Sequence, residues 1–338
     1  MSGRLRLGFL NRVYSPAFSP QVYQDALELF VVAEELGFDS GWVAQHHFAC
    51  ESGRLPSPLP LLAAAAQRTR RIALGTGIIV LPHEPTLRLA EDAAVLDLLA
   101  SGRLQLGLGA GFDPQSFAGF GQDLEQRHSE YDSRIARLAQ LFAGAGLNAA
   151  GQVLAPAASG LLQRTWEATS RVEQVAERGN GLIVAPNPNL PPSASLAAIE
   201  RYRAAWRQPQ RPARIALVRA VFPGSDASDP DASLQRDIRD YIAGKQHIGR
   251  YDGAATEAFS AELERLDILH GDPAGIALRL AHGPALGPDD QLVVQVQTRS
   301  TTLDEAIRHL QWVAREIAPA LGWQPASTQA SPQELTHP

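Results

Sequence analysis

The stretch "RIALGTGIIVLPHEPTLRLAEDAAVLDLLASGRLQLGLG", residues 71–109, decides the fold. It opens on a β-branched run, passes through a helix-length segment and returns as a second short apolar run. A strand, a helix and another strand in that order is the unit that builds parallel sheets, because parallel neighbours need a long crossover. Within "PTLRLAEDAAVLDLLASG" the spacing assigns Leu87, Ala94, Val95 and Leu98 to an apolar face and a stop to Gly102.

The same unit recurs on both sides. On the N-terminal side, a strand over Arg4–Leu10 leads to a helix with Ser19 as N-cap and Pro20 in its first turn. Val22, Ala26, Leu29, Phe30, Ala33 and Leu36 form its apolar face, and Gly37 ends it. "FDSGWVA" reads as the next strand and "PLPLLAAAAQRT" as the next helix. On the C-terminal side, strands are expected at "RTWEAT", "GLIVAP", "RIALVRAVF" and "DQLVVQVQ". Helices are expected at Glu130–Phe142, Ser170–Arg178, Ser195–Trp206 and Thr302–Ala320. Eight units of roughly forty residues match an α/β fold of one closed, eight-stranded parallel barrel. Asp226–His270 is too long for a single crossover and is expected to be an insertion with extra helices before the last strand. Residues 1–322 then form one domain, and 323–338 a disordered tail.

Composition narrows the function. The net charge of -6 argues against a nucleic-acid partner, because nothing concentrates positive charge for phosphates. The single cysteine, Cys50, excludes an internal disulfide framework and a cysteine-rich metal site. No apolar run approaches membrane-spanning length, and the one in "MSGRLRLGFLNR" is too short for a signal peptide. A soluble, cytoplasmic protein is the expectation.

In such a barrel the chemistry sits where strands end, at the C-terminal face. That rule selects His46 and His47 after the second strand, His83 after the third and Gly109-Ala110-Gly111 after the fourth. Glu167, Thr169 and Ser170 follow the fifth. Three readings of the adjacent histidines stay open: metal ligands, packing residues, or one inward histidine handling a proton near working pH. Neighbours on a strand face opposite ways and no acid stands at ligand spacing, which disfavours metal. "GLGAGFDP" lacks the following helix and acidic residue of a dinucleotide fingerprint. Its glycines instead let a planar ring or a phosphate approach the backbone. Gly75 and Gly77 mark either a bulge or close approach, or glycines tolerated in a crowded wall. Thr169 and Ser170 can hold an anion or simply cap a helix.

Taken in order, "GFDSGWVAQHHF", residues 71–121, "ERGNGLIVAP" and "GDPAGIALRLA" resemble the bacterial luciferase-like flavin-dependent monooxygenases. The resemblance is densest over Arg4–Arg137 and continues to about Leu321. It implies an enzyme that uses reduced FMN, supplied by a separate flavin reductase, and dioxygen to oxidise a small apolar substrate. The alternatives are hydride transfer by a deazaflavin and a non-catalytic flavin-binding relative. It further implies a homodimer, a catalytic role for His46, and a flavin-facing turn at Gly77-Ile78 with a cis peptide. Gly109 would stand near the reactive edge of the ring, with the phosphate near Glu167, Thr169 and Ser170. Luciferase itself has a cysteine and a phosphate-binding arginine where this chain has Gly109 and Ala110. Arg127 or Arg171 would then assist at the phosphate. The segment "WEATSRVEQVAERG" is also shorter than in close relatives.

Overall fold

Eight parallel strands close into a barrel in the computed structural model, which describes residues 4–15, 17–48, 53–187, 189–224, 232–247 and 259–326. The ring runs through β1 (Arg6–Asn11), β2 (Ser40–Val43) and β3 (Ala73–Thr76), with β4 (Ile79–Val80) continuing beyond a break in β3. It continues through β5 (Leu104–Gly109), β6 (Thr165–Ala168), β7 (Gly181–Val184) and β8 (Ile215–Pro223). A further strand, β9 (Ile268–Gly271), stands outside the ring, which β10 (Gln291–Gln295) closes by pairing with both β8 and β1.

Around the ring lie α1 (Pro20–Glu35), α2 (Pro58–Arg68), α3 (Thr86–Leu99), α4 (Pro114–Gly119) and α5 (Arg127–Phe142). They are followed by α6 (Val172–Arg178), α7 (Ser193–Ala205), α8 (Ala232–His247), α9 (Phe259–Arg265), α10 (Pro273–Ala281) and α11 (Leu303–Trp312). The cap expected at Ser19 is present: its side chain accepts from Val22 N at 3.4 Å. Gly37 follows at φ +91°, the left-handed conformation that ends helices.

Aromatic packing plugs the barrel. Trp42 from β2 and Trp166 from β6 meet edge to face, with ring centroids 5.6 Å apart. Both indole N–H groups are satisfied, by Ser40 Oγ and by Gln105 Oε1. Each indole lies on a glycine. A Cβ on Gly75 would stand 2.3 Å from the Trp42 ring, and one on Gly181 would stand 2.2 Å from that of Trp166. Gly75 is therefore a close-approach glycine. With the interior filled here, open space is left above, toward the strand ends.

Three features differ from the sequence expectation. On α3 the buried residues are Leu89, Ala90, Ala93, Ala94 and Leu96, whereas Leu87, Val95 and Leu98 are exposed by 42 %, 49 % and 64 %. That helix is apolar on two faces, so periodicity alone picked the wrong one. The insertion does contain extra helices, α8 and α9, but it also contributes β9. The upper half of β8, Ala220–Pro223, pairs with β9, while Ala216–Ala220 pair with β10. Gly224 N donates to Gly271 O at 2.9 Å, so the insertion leaves and returns at one point. Finally, within the segment set aside as a tail, Trp323 is 2 % exposed and donates to Asp39 Oδ2 at 3.0 Å. Residues 327–338 lie outside the described set.

Candidate active site

The structure brings the singled-out strand ends to one rim. Gly77 follows β3, Gly109 ends β5, Thr169 follows β6, and His46 stands three residues beyond β2. The Gly77–Ile78 peptide is cis. A Cβ on Gly109 would come within 2.8 Å of Ile78 Cδ1, so the turn after β3 and the end of β5 are packed together. Ala110 beside it is 8 % exposed. Gln45, which sequence reasoning passed over, stitches this corner. Its Oε1 accepts from Val80 N at 2.7 Å, and its Nε2 donates to Pro56 O and Glu84 Oε1 at 3.1 Å.

The two histidines, in the loop beyond β2, take different surroundings. His46 is half-buried and held by its backbone N–H on Leu55 O. Its ring lies against Gly53: a Cβ there would be 2.7 Å from His46 Nδ1 and 2.3 Å from Arg12 O. His47 instead joins an aromatic cluster with His83 and Phe120, at centroid distances of 5.6 and 4.9 Å. His83 stacks on Phe120 and bonds Gln122 Oε1 and Ser116 Oγ through its two ring nitrogens. Burial lowers the pKa of both rings, with the facing His83 charge adding to the effect on His47. His47 is therefore a neutral packing residue at working pH.

A cavity of about 250 Å³ opens at the rim. Gly77, Ile78 and Ala168 form one side, while Phe222, Ile268 and Tyr241 from the insertion side form another. About half of the lining is aliphatic, and the polar residues include Arg12 and Tyr14 just beyond β1, with Asp237, Gln295, Gln297 and Arg299 elsewhere on the wall. His46 is not in direct contact with this space. Arg12 and Tyr14 satisfy the strand-end rule that found His46. No candidate after β1 was named from the sequence, which is why both escaped it.

One expected cofactor residue needs correction. Glu167 is completely buried on the helix-facing side of β6, away from the cavity. Its carboxylate accepts from Tyr131 Oη (2.8 Å), Arg178 Nε and Nη2 (2.9 and 2.7 Å) and Asn180 Nδ2 (2.9 Å). A fully occupied carboxylate has nothing left for a ligand and would repel a phosphate. It ties β6 to α5 and α6. The helix also starts later than expected, at Val172. Thr169 Oγ1 accepts from Arg171 N at 3.1 Å in the turn before it, so Thr169 and Ser170 do not cap α6.

Beside that turn stand two arginines and a histidine. Arg127 donates to Leu124 O (2.9 Å), and Arg171 binds the Asp132 carboxylate through both terminal nitrogens (2.6 and 3.0 Å). His128 lies between the two electrostatically: burial depresses its pKa, and the charges of Arg127 and Arg171 depress it further. His128 Nδ1 and Arg171 Nε are both buried with no hydrogen-bond partner. Unpartnered donors next to paired cations are what an anionic group completes, so these residues fit the phosphate of a flavin nucleotide. The basic pair Arg127-His128 opening α5 was the available sequence signal for this place.

Comparison with known proteins agrees with the fold. The family model for luciferase-like monooxygenases matches residues 8–295. An alkanal monooxygenase alpha chain of Photorhabdus luminescens is 35% identical over 117 residues, 34% of this chain and 32% of that protein. An F420-dependent glucose-6-phosphate dehydrogenase of Beutenbergia cavernae is 36% identical over 150 residues, 41% of this chain and 42% of that protein. These curated relatives are thus matched over less than half their length. Among solved structures, the oxygenating constituent of 3,6-diketocamphane monooxygenase of Pseudomonas putida, in complex with FMN, superposes with a TM-score of 0.74. That likeness covers 94% of this chain and 98% of that one at 18% identity, and it speaks for the fold. With a family match spanning most of its length, a closed barrel and a cavity at the expected rim, the chain belongs to the luciferase-like monooxygenase family.

Proposed function

We propose that the chain is the oxygenase component of a two-component system, taking reduced FMN from a separate flavin reductase and using dioxygen to oxidise a small, largely apolar substrate. The observation that carries this reading is the pair of buried, unpartnered nitrogens His128 Nδ1 and Arg171 Nε, the second two residues past Thr169 in the turn after β6. Reduced FMN, when bound, supplies the electrons that activate dioxygen. The protein's residues would do the rest. Arg127, His128 and Arg171, with the Thr169 and Ser170 turn, hold the phosphate. Gly77, Ile78, Gly109 and Ala110 seat the ring, because small residues leave backbone within reach. The aliphatic lining excludes water. His46, with Nδ1 packed against Gly53, would exchange a proton at Nε2.

The phosphate assignment has a direct test. Reduced FMN should bind about ten- to a hundredfold more tightly than reduced riboflavin, the scale of one charged hydrogen bond. Arg171→Ala should remove most of that difference and leave riboflavin binding unchanged. Equal affinities for the two in the wild type would end the FMN reading. A second reading, hydride transfer with a deazaflavin, is favoured by the match to the glucose-6-phosphate dehydrogenase. Oxygen consumption coupled to substrate oxidation with FMN supports the first reading, and turnover only with a deazaflavin supports the second.

A homodimer is part of the proposal. Leu87, Val95, Leu98 and Leu99 put an apolar stripe on the outer face of α3, each more than two-fifths exposed at 42 %, 49 %, 64 % and 51 %. Leu98→Asp is expected to shift the sedimentation of the protein from dimer to monomer, and a wild-type monomer at micromolar concentration would refute the pairing. A cytoplasmic location is proposed on the single cysteine. No helix among the described residues is long and apolar enough to cross a membrane.

A further inference from the structure

Arg12 brings a permanent positive charge to a mixed wall, where Leu10, Ile78, Val218 and Phe222 stand beside Arg299, Gln295 and Gln297. One terminal nitrogen donates to Tyr14 Oη at 2.9 Å, and the guanidinium lies 5.7 and 5.9 Å from the ring centroids of Tyr14 and Tyr241. The Tyr241 hydroxyl is also within hydrogen-bonding reach. Arg12 Nε is buried and has no hydrogen-bond partner. No carboxylate forms an ion pair with Arg12 among the described residues. The acids that line the cavity are both on α8 and otherwise placed. Asp237 accepts from Ser300 N and Oγ at 2.7 and 2.5 Å, and Asp240 is exposed.

A buried guanidinium without a counter-ion is costly, and a neutral aromatic pair offsets only part of that cost. The missing component is an anion, delivered by whatever fills the cavity. The two tyrosines fix the plane of the guanidinium and leave the Nε edge free. Burial raises the pKa of Tyr14, so its hydroxyl stays protonated and adds no competing negative charge.

We propose that Arg12, flanked by Tyr14 and Tyr241, binds an anionic oxygen of the substrate, so that the substrate is an apolar organic anion, a carboxylate or a phenolate, held by its charged end with its hydrocarbon body against the aliphatic wall. This rests on reading the cavity as the substrate's. It specifies what the apolar lining alone cannot, namely the polar handle that orients the molecule.

The test needs no turnover. Calorimetric binding of 2-naphthoate and of its neutral analogue 2-naphthamide is compared in the full-length wild type, in Arg12→Gln and in Arg12→Lys, with and without FMN. The wild type should prefer the anion by about ten- to a hundredfold. Arg12→Gln should erase that preference and leave naphthamide binding unchanged, and Arg12→Lys should retain part of it. A nitrophenol arm separates the two sources of charge: a phenolate site shifts the bound nitrophenol toward the absorbance of its ionised form, whereas a carboxylate site does not. Equal affinities in the wild type, no measurable binding of naphthoate, or a preference that survives Arg12→Gln would each overturn the proposal. So would competition between naphthoate and FMN, which would give Arg12 to the cofactor. Failure of FMN to bind at all would instead count against the proposed function, leaving the naphthoate result to stand or fall by itself.

Discussion

Replacing Glu167 with alanine is expected to destabilise the fold by about 3–5 kcal/mol, the scale for removing one member of a buried ion pair. The carboxylate is inaccessible to water and serves three side chains. Its loss strands Tyr131 Oη and Asn180 Nδ2, at about 1–3 kcal/mol for each buried polar group left unpaired. Arg178 is partly exposed and can turn to solvent, which keeps the total from rising further. Tyr131→Phe removes a single hydrogen bond and is expected to cost about 1 kcal/mol. Denaturant midpoints of the two variants measure the difference. If Glu167→Ala unfolded like the wild type while losing flavin binding, the carboxylate would belong to the cofactor site after all.

The second large effect is kinetic. His46→Ala is expected to slow turnover by about 10²-fold or more, the usual scale for lost proton transfer, while the fold and flavin affinity persist. The ring lies against Gly53 and is not among the residues lining the cavity, so its removal leaves that lining in place. His47→Ala should do the reverse. It empties a position packed against His83 and Phe120, lowering stability with little change in rate. Equal rate losses in the two variants would undo the division of labour between the histidines.

Much of the barrel was legible because its punctuation is local. Ser19-Pro20 starts α1 and Gly37 stops it, and these signals act within a few residues of themselves. What was not legible depends on neighbours distant in sequence. The choice between Leu89 and Leu98 as the buried side of α3 is made by the strands and helices beneath, and a helix with leucines all round does not disclose it. β9 is a four-residue strand whose pairing with β8 depends on a chain reversal across the insertion. For the site, the strand-end rule placed Gly77, Gly109, Thr169 and His46 at one rim. It did not say which face of β6 Glu167 takes: Thr165 and Glu167 alternate with Trp166 and Ala168, but both faces are covered, so alternation alone does not tell the barrel interior from the helix side.

The split pairing of β8 has an evolutionary consequence. The ring is already complete at Ala216–Ala220 on β10, and everything above Ala220 on that side belongs to the segment that departs at Gly224 and returns at Gly271. Because its two ends are joined by one backbone hydrogen bond, substituting a longer or shorter segment changes the closure entropy only logarithmically with length. The part of the wall contributed by Tyr241 and Ile268 can therefore drift, or be transplanted whole from another barrel, without reopening the staves below. Arg12, just beyond β1 in the ring and outside that segment, would go on gripping the charged end while successive cassettes redraw the space for the hydrocarbon.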